Sequence, residues 1–192
     1  GTRGDPALIA KLLAEKLHYP ILTSGDLVRD AAANDKGIIG AVVKQALEEG
    51  KYVADSEMLV LWKWRLKEDD AKGDWIMDGF PRNVDQAKFL DDKIEKYGYK
   101  IEMVIYLKLS EEESIKRLLK RARPLHEGSM ELHDSPERIK SRLRIYNESE
   151  QAALDYYKEK GVLVEIDANQ PIEKVHEDSM KQVVAYQASH DK

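Results

Sequence analysis

The segment Asp78-Gly79-Phe80-Pro81-Arg82 sets an acid and a cation around a Gly-Pro turn at the end of an apolar run. Ligands of open α/β sheets bind outside the carboxyl ends of strands, so both side chains stand where a ligand would sit. An Asp there can hold magnesium through water, and an Arg there can pair with a phosphate. The plain alternative is a Gly-Pro turn beside a surface Arg. A second segment, Ser24-Gly25-Asp26-Leu27-Val28-Arg29, repeats the theme after another apolar run. Its plain reading is a helix start, with Ser24 or Asp26 serving only the backbone. A third set is Arg117, Arg121, Arg123, Arg138, Arg142 and Arg144. Arg117 and Arg121, like Arg138 and Arg142, are spaced to share a helix face. Arginines that converge repel one another unless an anion sits among them, and polyphosphate suits that place. Two solvated helix faces balanced by Glu111, Glu112, Glu113 and Glu137 are the alternative.

Four apolar runs are predicted to be the strands that position these groups: 19–23, 75–80, 103–109 and 162–167. They are near-continuous rather than alternating, as in parallel strands covered on both faces. Helical patterns fill the intervals, over 6–17, 25–34, 38–49, 56–69, 84–97, 110–123, 135–160 and 171–187. Asp5 and Pro6 suit the cap and first position of the opening helix, and Gly50 and Gly161 suit stops. Strands alternating with helices imply βαβ crossovers and a doubly wound parallel sheet with helices on both faces. The segment 123–134, with Pro, Gly and two His, reads either as a surface connection or as a flap between arginine-rich flanks.

Composition narrows the classes. The chain has 192 residues, enough for one domain. Its 31 Lys and Arg against 36 Asp and Glu leave a net charge of −5, which argues against a general nucleic-acid binder. There is no cysteine, so a disulfide scaffold, a thiolate metal site and a cysteine nucleophile are excluded. No apolar run approaches the ~18 residues of a membrane span. A cytoplasmic α/β domain with no membrane or nucleic-acid partner is the expectation.

From about Ala10 to Met180 the chain resembles the adenylate kinases, within the P-loop nucleoside monophosphate kinases. AKLLAEKL (10–17) looks like the helix after the phosphate loop, and SGDLVR like the family's TGD-x-x-R. DGFPR matches D-G-[FY]-P-R, and Gln86 falls where the family reads the nucleobase. EEGKYVADSEM looks like the stretch whose backbone near Val53 lines the monophosphate pocket, and SPERIKSRLRIY like the helix after the lid. The resemblance implies magnesium-dependent transfer of the terminal phosphate of ATP to AMP. By it, Arg29 and Arg82 bind the AMP phosphate, Gln86 bonds the adenine, and Ser24, Val53 and Gly79 line the pocket. Asp78 orients magnesium and its waters. Gly1 and Gly4 keep the phosphate-loop opening, Arg117 lies against the adenine of ATP, and Asn169 and Gln170 edge that base. Arg121 and Arg142, with Arg82 and Asp78, form the catalytic set. A monophosphate-binding insert over 25–55 and a short lid over 122–134 complete a single domain.

The chain departs from the family pattern at two places. Gly1-Thr2-Arg3-Gly4 is followed by no loop Lys; Pro6 falls about where that Lys would be, and Leu8 or Ile9 replaces the hydroxyl residue that holds magnesium. Pro also removes an N–H from a phosphate cradle. The family's first strand, central between its third and fourth, has no counterpart here. A hole at that position, or a strand from another segment or chain filling it, is expected; a fragment, an altered chain or preceding residues would account for it equally. In the lid, Glu131 or Ser129 stands for an arginine. The lid is short, so no zinc is expected, and His126 and His133 with Glu127, Glu131 and Asp134 read as a polar loop. The partners implied are AMP, ATP and ADP, with a monomer expected unless another chain supplies the strand. The alternative function is a non-catalytic AMP-binding domain.

Overall fold

The computed structural model describes residues 5–113 and 136–190. Helix α1 (Pro6–Leu17) starts as its sequence dictates: the Asp5 side chain accepts the Ala7 N–H at 3.1 Å, and Pro6, with no N–H to satisfy, takes the first turn. Strand β1 (Ile21–Thr23) leads into α2 (Ser24–Asn34), α3 (Ile38–Glu48) and α4 (Asp55–Arg65). A 3-10 turn (Asp69–Lys72) precedes β2 (Ile76–Asp78) and α5 (Val84–Glu95). Strand β3 (Val104–Lys108), α6 (Pro136–Glu159), β4 (Leu163–Asp167) and α7 (Ile172–His190) follow. Gly50 and Gly161 adopt φ of 67° and 74° at the ends of α3 and α6, the left-handed stop expected of them.

The strands pair in parallel, β1 with β2 (Leu22 opposite Met77) and β3 with β4 (Tyr106 opposite Glu165). Among the described residues these remain two separate two-stranded sheets. The division falls between β2 and β3. Each described strand therefore has a ladder partner on one edge only. The continuous apolar runs suggest strands covered on both faces, yet most of their residues are only partly buried, Leu22 and Ile166 excepted.

Two cores hold the halves. The first gathers Leu22, Val43, Met58, Leu61, Trp62, Phe80 and Leu90 from β1, α3, α4, α5 and the turn after β2. Trp62 is fully buried and stacks on Phe80 at 5.1 Å, and Phe89 meets Phe80 edge-on. The second is smaller: Ile9 and Leu13, four apart on α1, meet Ile166 and Val175, with Ile76, Ile105 and Leu107 packed around them. Helix α1 thus touches both strand pairs and spans the division. Helices α5 and α6 are joined by a polar clamp. Asp91, 7% exposed, accepts from Tyr156 Oη at 2.5 Å and from Lys160 Nζ at 2.6 Å.

Candidate functional site

The site forms where β1 and β2 end side by side. Thr23, the last residue of β1, caps α2 by accepting the Asp26 N–H at 3.0 Å. Neither Ser24 nor Asp26 is the cap. The Ser24 hydroxyl is instead free to donate across the sheet to the Gly79 carbonyl at 2.9 Å, and Ser24 is buried. Arg82 Nε donates to the same carbonyl at 3.0 Å. One carbonyl oxygen thereby ties the end of β1 to the end of β2 and aims the Arg82 side chain. Gly79 has φ of 82°, a conformation that favours glycine, and a Cβ there would also press on Ser24 Cβ at 3.2 Å. The following Phe80–Pro81 peptide is cis.

Both guanidinium groups flank this junction. Arg82 Nη2 lies 3.7 Å from where a Gly79 Cβ would be, and Arg29 Nη1 lies 3.0 Å from where a Gly25 Cβ would be. Arg29 is braced by Asp26 at 2.6 Å, with both side chains about two-thirds exposed. That bond, followed by the Thr23 contact, holds the Asp26 carboxyl below its usual range. Arg82 sits over the ring of Tyr52, 5.4 Å from its centroid. Val53, one residue on, is partly buried against the first core.

Gln86, only 4% exposed, lies in the first turn of α5. Its Oε1 accepts the Arg82 backbone N–H at 2.7 Å, and its Nε2 donates to Asp55 Oδ1 at 2.9 Å. Asn83 caps α5 by accepting the Gln86 N–H at 2.9 Å, and its Nδ2 donates to Asp55 Oδ2 at 2.8 Å. Asp78, at the end of β2, is raised above the usual carboxylate range. Burial is the main cause; Arg82 pulls the other way, and Asp5 adds to the rise.

On the other strand pair, Asn169 follows β4 and its Oδ1 accepts the Ser110 N–H at 3.4 Å, bridging the ends of β3 and β4. Gln170 joins that rim to α7, its Nε2 donating to Asp167 O at 2.8 Å and to Asp178 Oδ2 at 3.1 Å. Arg142 is placed on α6 by its backbone, and its side chain lies outside the described set. Gly1, Gly4, Arg117, Arg121 and the segment 122–134 with its two His also lie outside the described residues. Among the described residues, no group of three or more His, Cys, Asp or Glu could hold a metal ion, and no helix is long and apolar enough to cross a membrane.

Sequence reasoning did not single out Asp55, Asn83 or Tyr52. An acid in the first turn of a helix and an Asn before one both read as ordinary helix starts, and Tyr52 lies far from Arg82 along the chain. Only the approach of α4 to α5 gives the three a place in the site.

Parallel strands followed by helices, with two guanidinium groups, a buried amide and a carboxylate gathered near the β1 and β2 ends, make this an α/β protein with a polar site at its strand ends. The chain belongs to the adenylate kinase family, whose model matches residues 6–162. It is 39% identical to "Adenylate kinase 1" of Synechocystis sp. over 163 residues, 85% of this chain and 82% of that protein. It is 36% identical to "Adenylate kinase" of Thermobifida fusca over 173 residues, covering 89% and 88% of the two chains. The "Adenylate kinase" of Leptospira biflexa is 33% identical over 174 residues, 91% of each chain.

Proposed function

We propose that this chain is a nucleoside monophosphate kinase that transfers the terminal phosphoryl group of ATP reversibly to AMP, giving two ADP. The observation that carries the reading is the Gly79 carbonyl, which joins Ser24 to Arg82 across two adjoining strand ends, with Arg29 on the helix that Ser24 begins. Two guanidinium forks there suit a monophosphate dianion. In this reading AMP lies against Ser24, Arg29, Val53, Gly79, Arg82 and Gln86, with the Gln86 amide on its base. ATP lies toward Gly1, Gly4, Arg117, Asn169 and Gln170, and Arg121 and Arg142 meet the phosphoryl group in flight.

Phosphoryl transfer asks little covalent chemistry of a protein. It asks for alignment of the two oxygens and for positive charge around the group between them. Arg82 supplies charge and direction together, because its Nε bond to Gly79 leaves the outer guanidinium nitrogens for the ligand. Trp62 and Phe80 beneath the turn give that strand end a rigid base.

Adenylate kinases work on ATP with Mg2+, and Asp78 suits this ion. A hard cation takes carboxylate oxygens, and Asp78 is a partly buried carboxylate whose burial makes its charge costly without a cation beside it. When bound, magnesium offsets charge on the phosphate oxygens. Asp78 would hold it through water. The reading assigns the chain to the cytoplasm, acting as a monomer unless a second chain adds a strand.

A coupled assay for ADP formed from ATP plus AMP tests the proposal. Magnesium-dependent ADP production that needs both nucleotides is expected. AMP binding with no turnover would leave a non-catalytic nucleotide-binding domain instead.

A further inference from the structure

The base-reading role proposed for Gln86 leaves open what holds its amide in one orientation, and the inference below rests on that role. A carboxamide can present its oxygen and nitrogen to a base in either order. The two orders read opposite edges. A 6-amino purine offers an N–H donor beside a ring-nitrogen acceptor, and a 6-oxo purine offers an acceptor beside an N–H donor.

In this chain the order is fixed from both ends. The Arg82 backbone N–H can only donate, and it faces Gln86 Oε1 at 2.7 Å. The Asp55 carboxylate can only accept, and its Oδ1 faces Gln86 Nε2 at 2.9 Å. A flipped amide would set nitrogen against N–H and oxygen against carboxylate. Asp55 is itself fixed, since Oδ2 accepts from Asn83 Nδ2 at 2.8 Å while Asn83 Oδ1 is committed to the Gln86 N–H at 2.9 Å. Gln86 is nearly fully buried, so water cannot readily substitute for a lost partner. After these bonds Oε1 retains a lone pair and Nε2 retains an N–H, the complement of a 6-amino purine edge.

We infer that Asp55 is a positioning residue for specificity: its carboxylate locks the Gln86 amide in the order that selects 6-amino over 6-oxo purine monophosphates. A purely structural Asp55 would only fasten the start of α4 to the start of α5. Its loss would lower stability and leave selectivity alone.

The test is the ratio of the dissociation constants of inosine monophosphate and AMP, measured by titration calorimetry on one preparation of each variant. Any unfolded fraction cancels in that ratio. Asp55→Asn is near-isosteric but can offer its oxygen to only one of the two amide donors, and Asp55→Ala offers none. Each is expected to lower the ratio by about tenfold relative to the parent, the Ala variant more than the Asn variant. Gln86→Ala is expected to lower it at least as far. An unchanged ratio in both Asp55 variants, beside a lowered ratio in Gln86→Ala, would overturn the positioning role and spare the base-reading role, whatever the melting temperatures do. An unchanged ratio in Gln86→Ala would remove the base-reading role and this inference together.

Discussion

The two strand pairs differ in how their ligand-facing ends are held. At the β1–β2 end each described polar group is fastened by another. Thr23 caps α2, Ser24 and Arg82 share the Gly79 carbonyl, and Gln86 lies between the Arg82 backbone and Asp55. The larger core lies directly beneath. At the β3–β4 end the described polar contacts serve mainly the chain itself: Gln170 is spent on Asp167 and α7, and Asn169 bridges to Ser110. The N-terminus of α1, where a phosphate loop would deliver its anion, is served by the Asp5 carboxylate and headed by a proline without an N–H. The β1–β2 half, where the proposed function puts AMP, is therefore pre-organised by its own hydrogen bonds, whereas α1 opens with an acid cap and a proline. Pre-organisation lowers the ordering cost of binding, so affinity should follow the same asymmetry.

The strongest way to break this comparison is to remove the Arg82 fork. Arg82→Ala is expected to weaken AMP binding by about 2–4 kcal/mol, and Arg82→Lys by less, since it keeps the charge and loses the paired geometry. Calorimetry with AMP reads both, and ATP binding serves as the control. Equal AMP affinities in parent and both variants would make Arg82 a bystander.

Next in size is the contrast between substrates. A positioned charge in a phosphoryl site is worth ~3 kcal/mol, or ~100-fold. If Pro6 stands for the loop Lys, as the family resemblance implies, the preference for AMP over ATP should exceed that of the Synechocystis relative by about that factor. Tighter ATP than AMP binding would erase the asymmetry.

The clamp between the halves supplies the third test. Asp91→Ala removes two charge-assisted or short hydrogen bonds joining α5 to α6, although Lys160 remains free to reach water. A loss of about 2 kcal/mol in denaturant unfolding is expected, with AMP affinity unchanged. A fall in AMP affinity would mean that α6 helps shape the monophosphate half. Ser24→Ala should cost about 1 kcal/mol of stability, because Arg82 Nε still satisfies the Gly79 carbonyl. Its AMP affinity should fall only severalfold.

The smallest effect concerns pH. The folded Asp78 carboxyl is raised above its unfolded value, mainly by burial. Between those two values the folded state binds the proton more strongly, so stability falls as pH rises, and the cost is complete above the raised value. Below the unfolded value both states are protonated and the cost vanishes. Asp78→Asn should therefore melt above the parent at pH 7 to 8, with the difference closing near pH 3. A lower melting temperature at neutral pH would show that Asp78 is stabilised in a way its burial does not reveal.

Much of this molecule was legible in its residue order. Asp5-Pro6 starts α1, Gly50 and Gly161 end helices, and four apolar runs become four parallel strands, because capping, left-handed φ and apolar continuity are local properties. The SGDLVR and DGFPR segments marked the strand ends that carry Arg29, Arg82 and Asp78, since a turn residue after an apolar run is also local. The apolar runs overstate the strands, as at 75–80 against Ile76–Asp78, because apolar residues continue into the turn where ladder bonds stop. Thr23 rather than Ser24 caps α2, a choice made by the Gly79 carbonyl 55 residues away. The seating of α1 against both strand pairs and the Asp55–Asn83–Gln86 lock were likewise decided by tertiary structure. A carboxylate, two amides and a backbone N–H carry no preference for one another along the chain, and only the packing of α4 against α5 brings them within hydrogen-bond reach.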